Sequence, residues 1–214
     1  MSAVPKPSDL ELAALISSKI CHDFIGPVGA IYNGLELLDE DGDAESKSYA
    51  MDMIKNVTSQ ASALLKFARF AFGAAGSAGS TIDLQMAEQI SRGFVEHGKH
   101  KLVWNCPAGL MSKDRVKLLL NLVANGVAAL PRGGEITANV TGPLEKPSFV
   151  LRCKGNTARP PLYLDAVLAG NNGQQLDAMS VQAYYTWRLA QDTGMRIAIV
   201  KDGADILLQA LPSG

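Results

Sequence analysis

The sequence predicts an α+β protein: an N-terminal helical hairpin, then helices laid on one face of a largely antiparallel sheet. Three observations carry this. Two long segments before residue 72 repeat apolar or small residues at alternating steps of four and three. The stretch "FGAAGSAGSTID" (72–83) is dominated by Gly, Ala and Ser, a composition suited to a linker. Beyond it, short apolar strand patterns are interspersed with amphipathic helices, as in a two-layer mixed fold. The expected division is a helical hairpin over residues 1–75 and an α/β domain over 76–214.

The first helix carries Leu10, Ala14, Ser17, Cys21, Phe24, Val28, Ile31, Leu35 and Leu38 on a heptad seam. After the acidic turn "DEDGDAES", a second helix repeats the pattern at Ala50, Ile54, Val57, Ala61, Leu64, Ala68 and Ala71. Leu15, Ile16, Ile20, Leu65 and Phe67 widen these stripes beyond what one hairpin buries well. Two hairpins paired as a four-helix bundle would cover them, so a homodimer is expected. Downstream, the pattern predicts a helix at "LQMAEQISRGFVE", a strand at "KLVWNC" and a helix from Lys113 to Leu130. Strands are predicted at "EITANV" and "SFVLRC", then an irregular Gly/Asn/Pro-rich stretch. A helix at "DAMSVQAYYTWRLAQDTG" and strands "RIAIV" and "ADILLQAL" complete the chain.

Composition narrows the functional classes. The chain has 214 residues, a formal charge of −1 and 47% hydrophobic residues, which leaves no basic footprint for nucleic acid. The N-terminus lacks the charged and apolar regions of a signal peptide, and no segment has bilayer-spanning length. Cys21, Cys106 and Cys153 are odd in number and far apart, as for reduced thiols. A cytoplasmic protein without nucleic-acid or membrane partners is expected.

Chemistry concentrates in "SSKICHDFIGPVGAIYNGLELL" (17–38). With Cys21 and Phe24 on the seam, His22 falls just off it, on the solvent side. Ser18, Lys19, Ile25 and Gly26 lie one turn away on the same face. Lys19 is placed to stabilise a transferring phosphoryl oxygen, and Gly26 and Gly29 leave room for a partner backbone. Pro27 has no N–H, so the Asp23 carbonyl loses its helical donor and a bend is expected. His97 and His100 form an H-x-x-H pair with no further ligand cluster nearby, so no metal site is expected.

"HDFIGPV" (22–28) resembles the H-box of histidine-kinase dimerisation domains, with Asp23 in the acidic place and Pro27 in the proline place. "NLVANGVAALPRGGEITANV" resembles a kinase N-box, with Asn121 and Asn125 one turn apart, then Pro131, Gly133 and Gly134. The resemblance implies that the second domain is a sandwich like the histidine-kinase ATPase domain. It breaks where a kinase reads nucleotide. "CKGNT" places Cys153 where the adenine-reading Asp belongs, and a thiol does not accept as a carboxylate does. Large residues, including Tyr184 and Tyr185, stand where phosphate-cradling glycines would be.

A histidine-bearing dimer with a degenerate ATPase-like domain resembles the ChpT family of alphaproteobacterial histidine phosphotransferases. That resemblance implies relay from the receiver of a hybrid kinase (CckA-like) to regulators of cell-cycle progression (CtrA- and CpdR-like). His22 would be the nucleophile through Nε2, and Asp23 would hold the Nδ1–H tautomer or act as base. Lys19 would assist, and Ile25, Gly26, Gly29 and Tyr32 would meet the receiver. The chain itself would need no cofactor, because the receiver brings Mg²⁺. An autophosphorylating kinase and a non-catalytic pseudokinase scaffold are the alternatives.

Overall fold

The computed structural model describes residues 7–40, 42–73, 80–170 and 176–213. Helix α1 (Asp9–Asp39) starts at a reciprocal cap: Ser8 Oγ accepts from Glu11 N at 3.2 Å, and Glu11 Oε2 accepts from Ser8 N at 2.8 Å. It runs through Pro27 to the turn before α2 (Ala44–Ala71), which Asp43 caps by accepting from Ser46 N at 2.8 Å. The two helices pack antiparallel, and Gly34, buried in α1, lets Ile54 of α2 approach closely.

The remaining elements are β1 (Thr81–Asp83), α3 (Leu84–Val95), β2 (His100–Asn105), β3 (Leu110–Ser112), α4 (Lys113–Ala129) and β4 (Gly134–Thr141), followed by β5 (Ser148–Lys154), α5 (Leu162–Leu168), α6 (Val181–Asp192), β6 (Met195–Asp202) and β7 (Asp205–Pro212). The main sheet has the order β2-β4-β5-β7-β6; β2 and β4 are parallel and every other neighbouring pair is antiparallel. Alternation puts Ile136, Ala138, Leu151, Cys153, Ile206 and Leu208 on the buried face, where α4 and its helical neighbours cover them. The opposite face carries Arg152, which bridges Asp202 and Asp205 across the strands. Gly133 and Gly134 take positive φ (92° and 148°); a Cβ at either would collide with the backbone carbonyl of Lys99 or Lys154.

Phe67, near the end of α2, stacks on Phe94 of α3 with ring centroids 3.9 Å apart, joining hairpin to α/β layer. Helix α6 also touches α1. The predicted strands and long helices appear at their expected places to within a few residues. Three short elements, β1, β3 and α5, were not predicted. Helix α6 begins at Val181 rather than Asp177, because Asp177 accepts from Met179 N, Ser180 N and Ser180 Oγ in a capped turn ahead of it. The centre of the predicted linker, 74–79, and part of the irregular stretch, 171–175, lie outside the described residues.

The α1 seam is covered only in part within one chain. Within the chain, α1 turns Ile16, Ile20, Asp23, Pro27, Ala30 and Gly34 away from solvent, whereas Leu10, Cys21, Val28 and Leu35 are exposed. Of the predicted seam, Phe24, Ile31 and Leu38 are half-buried within the chain. Apolar residues lie on two faces of α1, and Gly34 selects the one that α2 approaches.

Candidate functional site

Helix α1 presents His22 outward: its side chain is 62% exposed, against 26% for Asp23 and 16% for Lys19. The order follows from helical geometry. Residues 19 and 23 stack one turn apart on the side turned toward α2, while residue 22 is rotated off it. Lys19 Nζ donates to both Asp23 oxygens, at 2.7 Å to Oδ1 and 2.5 Å to Oδ2. Asp23 Oδ1 also lies 3.4 Å from His22 Nδ1, a distance at which a proton on Nδ1 is held only loosely. With Nδ1 turned to a carboxylate, the lone pair of Nε2 is the one left for an incoming electrophile.

Beside His22 the helix is open. Ile25 and Tyr32 are 71% and 61% exposed, and nothing lies within 4 Å of a Cβ built at Gly26 or Gly29. The predicted set His22, Ile25, Gly26, Gly29 and Tyr32 thus lies on one accessible face. Lys19 is set apart from it: its ammonium points at Asp23.

Behind this face a cleft of about 500 Å³ opens between the hairpin and the α/β layer. Asp23, Gly26 and Pro27 line its α1 side, Gln60 its α2 side, and Phe94 and His97 the far side. Pro27 supplies no N–H to the Asp23 carbonyl, which leaves an acceptor beside the cleft. The sequence offers His97 only as half of the H-x-x-H pair and gives no signal for Gln60, because only the docking of α3 on α2 brings them there. The H-x-x-H pair does not act together: His100 Nε2 donates to the Leu130 carbonyl at 2.8 Å. Among the described residues no group of His, Cys, Asp and Glu is arranged to hold a metal ion.

The kinase-like asparagines are engaged in packing. Asn121, fully buried in α4, donates to the carbonyls of Ala71 (3.0 Å) and Lys117 (2.9 Å), tying α4 to α2. Asn125 donates to Asn121 O (2.8 Å) and Thr186 Oγ1 (3.0 Å), tying α4 to α6. Cys153 is fully buried, its Sγ 3.4 Å from where a Cβ on Gly126 would stand, and burial pushes its thiol up to about 12. Tyr184 is fully buried, and Tyr185 packs on Phe72.

The family model for the histidine phosphotransferase C-terminal domain matches residues 84–205. The protein phosphotransferase ChpT of Brucella abortus (strain 2308) is 45% identical over 204 residues, which cover 95% of this chain and 96% of that protein. A bacterial phosphotransferase solved at 1.7 Å superposes with a TM-score of 0.91 at 41% identity, covering 98% of this chain and 100% of its own. A histidine kinase, ThkA, solved in complex with the response regulator TrrA, shares the fold alone: TM-score 0.50, 14% identity, 96% of this chain and 63% of that one. Among the described residues no helix is long and apolar enough to cross a membrane.

Proposed function

Since the chain belongs to the ChpT family of histidine phosphotransferases, we propose that it carries a phosphoryl group on His22 between receiver domains, taking it from a hybrid histidine kinase and passing it to response regulators. The observation that carries this reading is the outward imidazole of His22, with Nδ1 against Asp23 and two unfilled glycine positions beside it. The lone pair of Nε2 attacks the phosphorus of a receiver aspartyl-phosphate; the new N–P bond forms as the acyl O–P bond breaks, and its electron pair returns to the receiver carboxylate. No proton leaves the ring in this step, because the attacking nitrogen carries none. The ring gains positive charge, and Asp23 stands where that charge develops at Nδ1–H. The reverse displacement loads the next receiver.

Ile25, Gly26, Gly29 and Tyr32 form the seat for the receiver in this reading. The receiver contributes the Mg²⁺ that neutralises the equatorial oxygens. The filled space around Cys153, Asn121 and Asn125 supports operation without nucleotide. Exposed Val28 and Leu35 on α1, seven residues apart, support pairing of two hairpins in a cytoplasmic homodimer. By family likeness the donor is CckA-like and the acceptors are CtrA- and CpdR-like cell-cycle regulators.

The test is incubation of the purified protein with a phosphorylated receiver and a second, unphosphorylated one. Acid-labile label should pass through the protein, and His22→Ala should abolish passage while still binding both receivers. Undiminished passage in His22→Ala would refute the reading. Receiver binding without label on the wild-type protein would instead identify a scaffold.

A further inference from the structure

We infer that Lys19 is a positioning residue for the reaction at His22, acting through Asp23 and not on the phosphoryl group; this rests on His22 being the phosphoryl acceptor. The sequence alone placed Lys19 beside the moving phosphate. Its ammonium instead donates to both oxygens of Asp23, at 2.5 and 2.7 Å, and its side chain is turned from the face that shows His22 to solvent.

The reason such a pair matters is chemical. A carboxylate against an imidazole does two opposed things. It holds the Nδ1–H tautomer, which leaves the Nε2 lone pair free, and it favours the imidazolium, which has no lone pair to give. A cation bound to the same carboxylate weakens the second effect and fixes the rotamer needed for the first. That fixing is needed because residues 22 and 23 are adjacent and do not naturally face each other on a helix. Among the described residues, Lys19 and His22 on α1 touch Asp23, while His97 of the far wall and the uncharged Gln60 of α2 line the same cleft.

Lys19 is also a costly choice for mere helix support. Its i, i+4 pair with Asp23 has the cation N-terminal to the anion, the weaker orientation for isolated helices.

The test uses phosphoramidate, a small donor that needs no receiver: Nε2 attacks phosphorus, the P–N bond breaks, and the pair departs on ammonia. The rate of forming the phosphohistidine that His22→Ala lacks is followed against pH in the full-length protein. Lys19→Met should slow phosphohistidine formation most at the acid end of the profile and least at its alkaline end. Lys19→Arg should restore the profile. Asp23→Asn should move the rising limb downward, and Lys19→Met should then add little in the Asp23→Asn background. Asp23→Asn also keeps the inference testable should Lys19→Met fail to fold. An equal slowing by Lys19→Met at every pH, with or without Asp23, would overturn the inference and make Lys19 a phosphate contact. Unchanged profiles would reduce the pair to a helix ion pair. Absence of phosphohistidine in the wild-type protein, from phosphoramidate and receiver alike, would fail the reading of His22 itself.

Discussion

Gly34 of α1 and Ile54 of α2 meet so closely that a Cβ on the glycine would stand 2.6 Å from Ile54 Cγ1. Gly26 and Gly29, on the same helix, have nothing within 4 Å. Glycine inside a helix costs about 0.5–1 kcal/mol relative to alanine. The same residue type therefore answers to packing at one position and to no intrachain contact at the others. Gly34→Val should destabilise the protein by roughly 2 kcal/mol through overpacking. Gly29→Ala should stabilise it by about 0.5–1 kcal/mol. Denaturant unfolding of both variants checks the contrast.

The proposed docking seat predicts a further split at Gly29. Gly29→Trp should slow receiver-to-protein transfer roughly tenfold or more while leaving the unfolding free energy within about 0.5 kcal/mol, as for a surface change. Single-turnover transfer measured beside thermal unfolding separates the two effects. Transfer at the wild-type rate would move the seat elsewhere.

Pairing of hairpins predicts that charge on the exposed α1 stripe separates the chains. Val28→Glu with Leu35→Glu should yield the scattering mass of one chain at micromolar concentration, whereas the wild-type protein should give twice that mass. A wild-type mass of one chain would contradict the homodimer.

Asn125 predicts how the nucleotide-like region behaves. Asn125→Ala should cost about 1–3 kcal/mol, because Thr186 Oγ1 loses its donor in a buried setting. Millimolar Mg-ATP should leave the melting temperature unchanged, since only a ligand that binds the folded state raises it. A reproducible rise with ATP would restore a nucleotide function.

Asp177 predicts a pH-dependent cap. The Ser180 hydroxyl and amide and the Met179 amide, all donating to its carboxylate, hold it below the ordinary value. A lowered value in the folded state means that the stabilisation is present above the unfolded value of about 4 and disappears as pH falls through the folded one. Asp177→Ala should therefore destabilise the protein at pH 7, only modestly because the carboxylate is exposed to solvent. The difference between wild type and variant should shrink as pH falls below the unfolded value of about 4, measured by urea unfolding.

The long helices were legible because their apolar periods are written locally, at alternating steps of four and three. The sheet strands were legible through alternation. The elements that escaped are those whose order comes from partners. β1 and β3 exist as a ladder with each other, with Ile82 opposite Met111, and α5 is a short helix behind Pro161. At the site, the exposure of His22 and the open glycines followed from helical spacing. The pairing of Lys19 with Asp23 is also an i, i+4 relation. Spacing alone does not select it, because His22 lies at i, i+3 from the same lysine. The place of His97 and Gln60 in the cleft had no local signal, since the cleft exists only once the α/β layer rests on the hairpin.

The parallel pairing of β2 with β4 bears on how the chain assembles. Strands β6 and β7 are joined by a tight turn at Gly203, and β4 and β5 by residues 142–147, so those pairs close short loops. Bringing β2 alongside β4 requires closure across residues 106–133, which include β3 and all of α4. Loop closure grows more expensive with length, and non-local pairing is slow. The two local strand pairs are thus expected to gain amide protection early in refolding and β2 late. Because α3 packs on both β2 and α2, that part of the joint to the hairpin would then set late, leaving α1 and α2 able to fold before the sheet is complete.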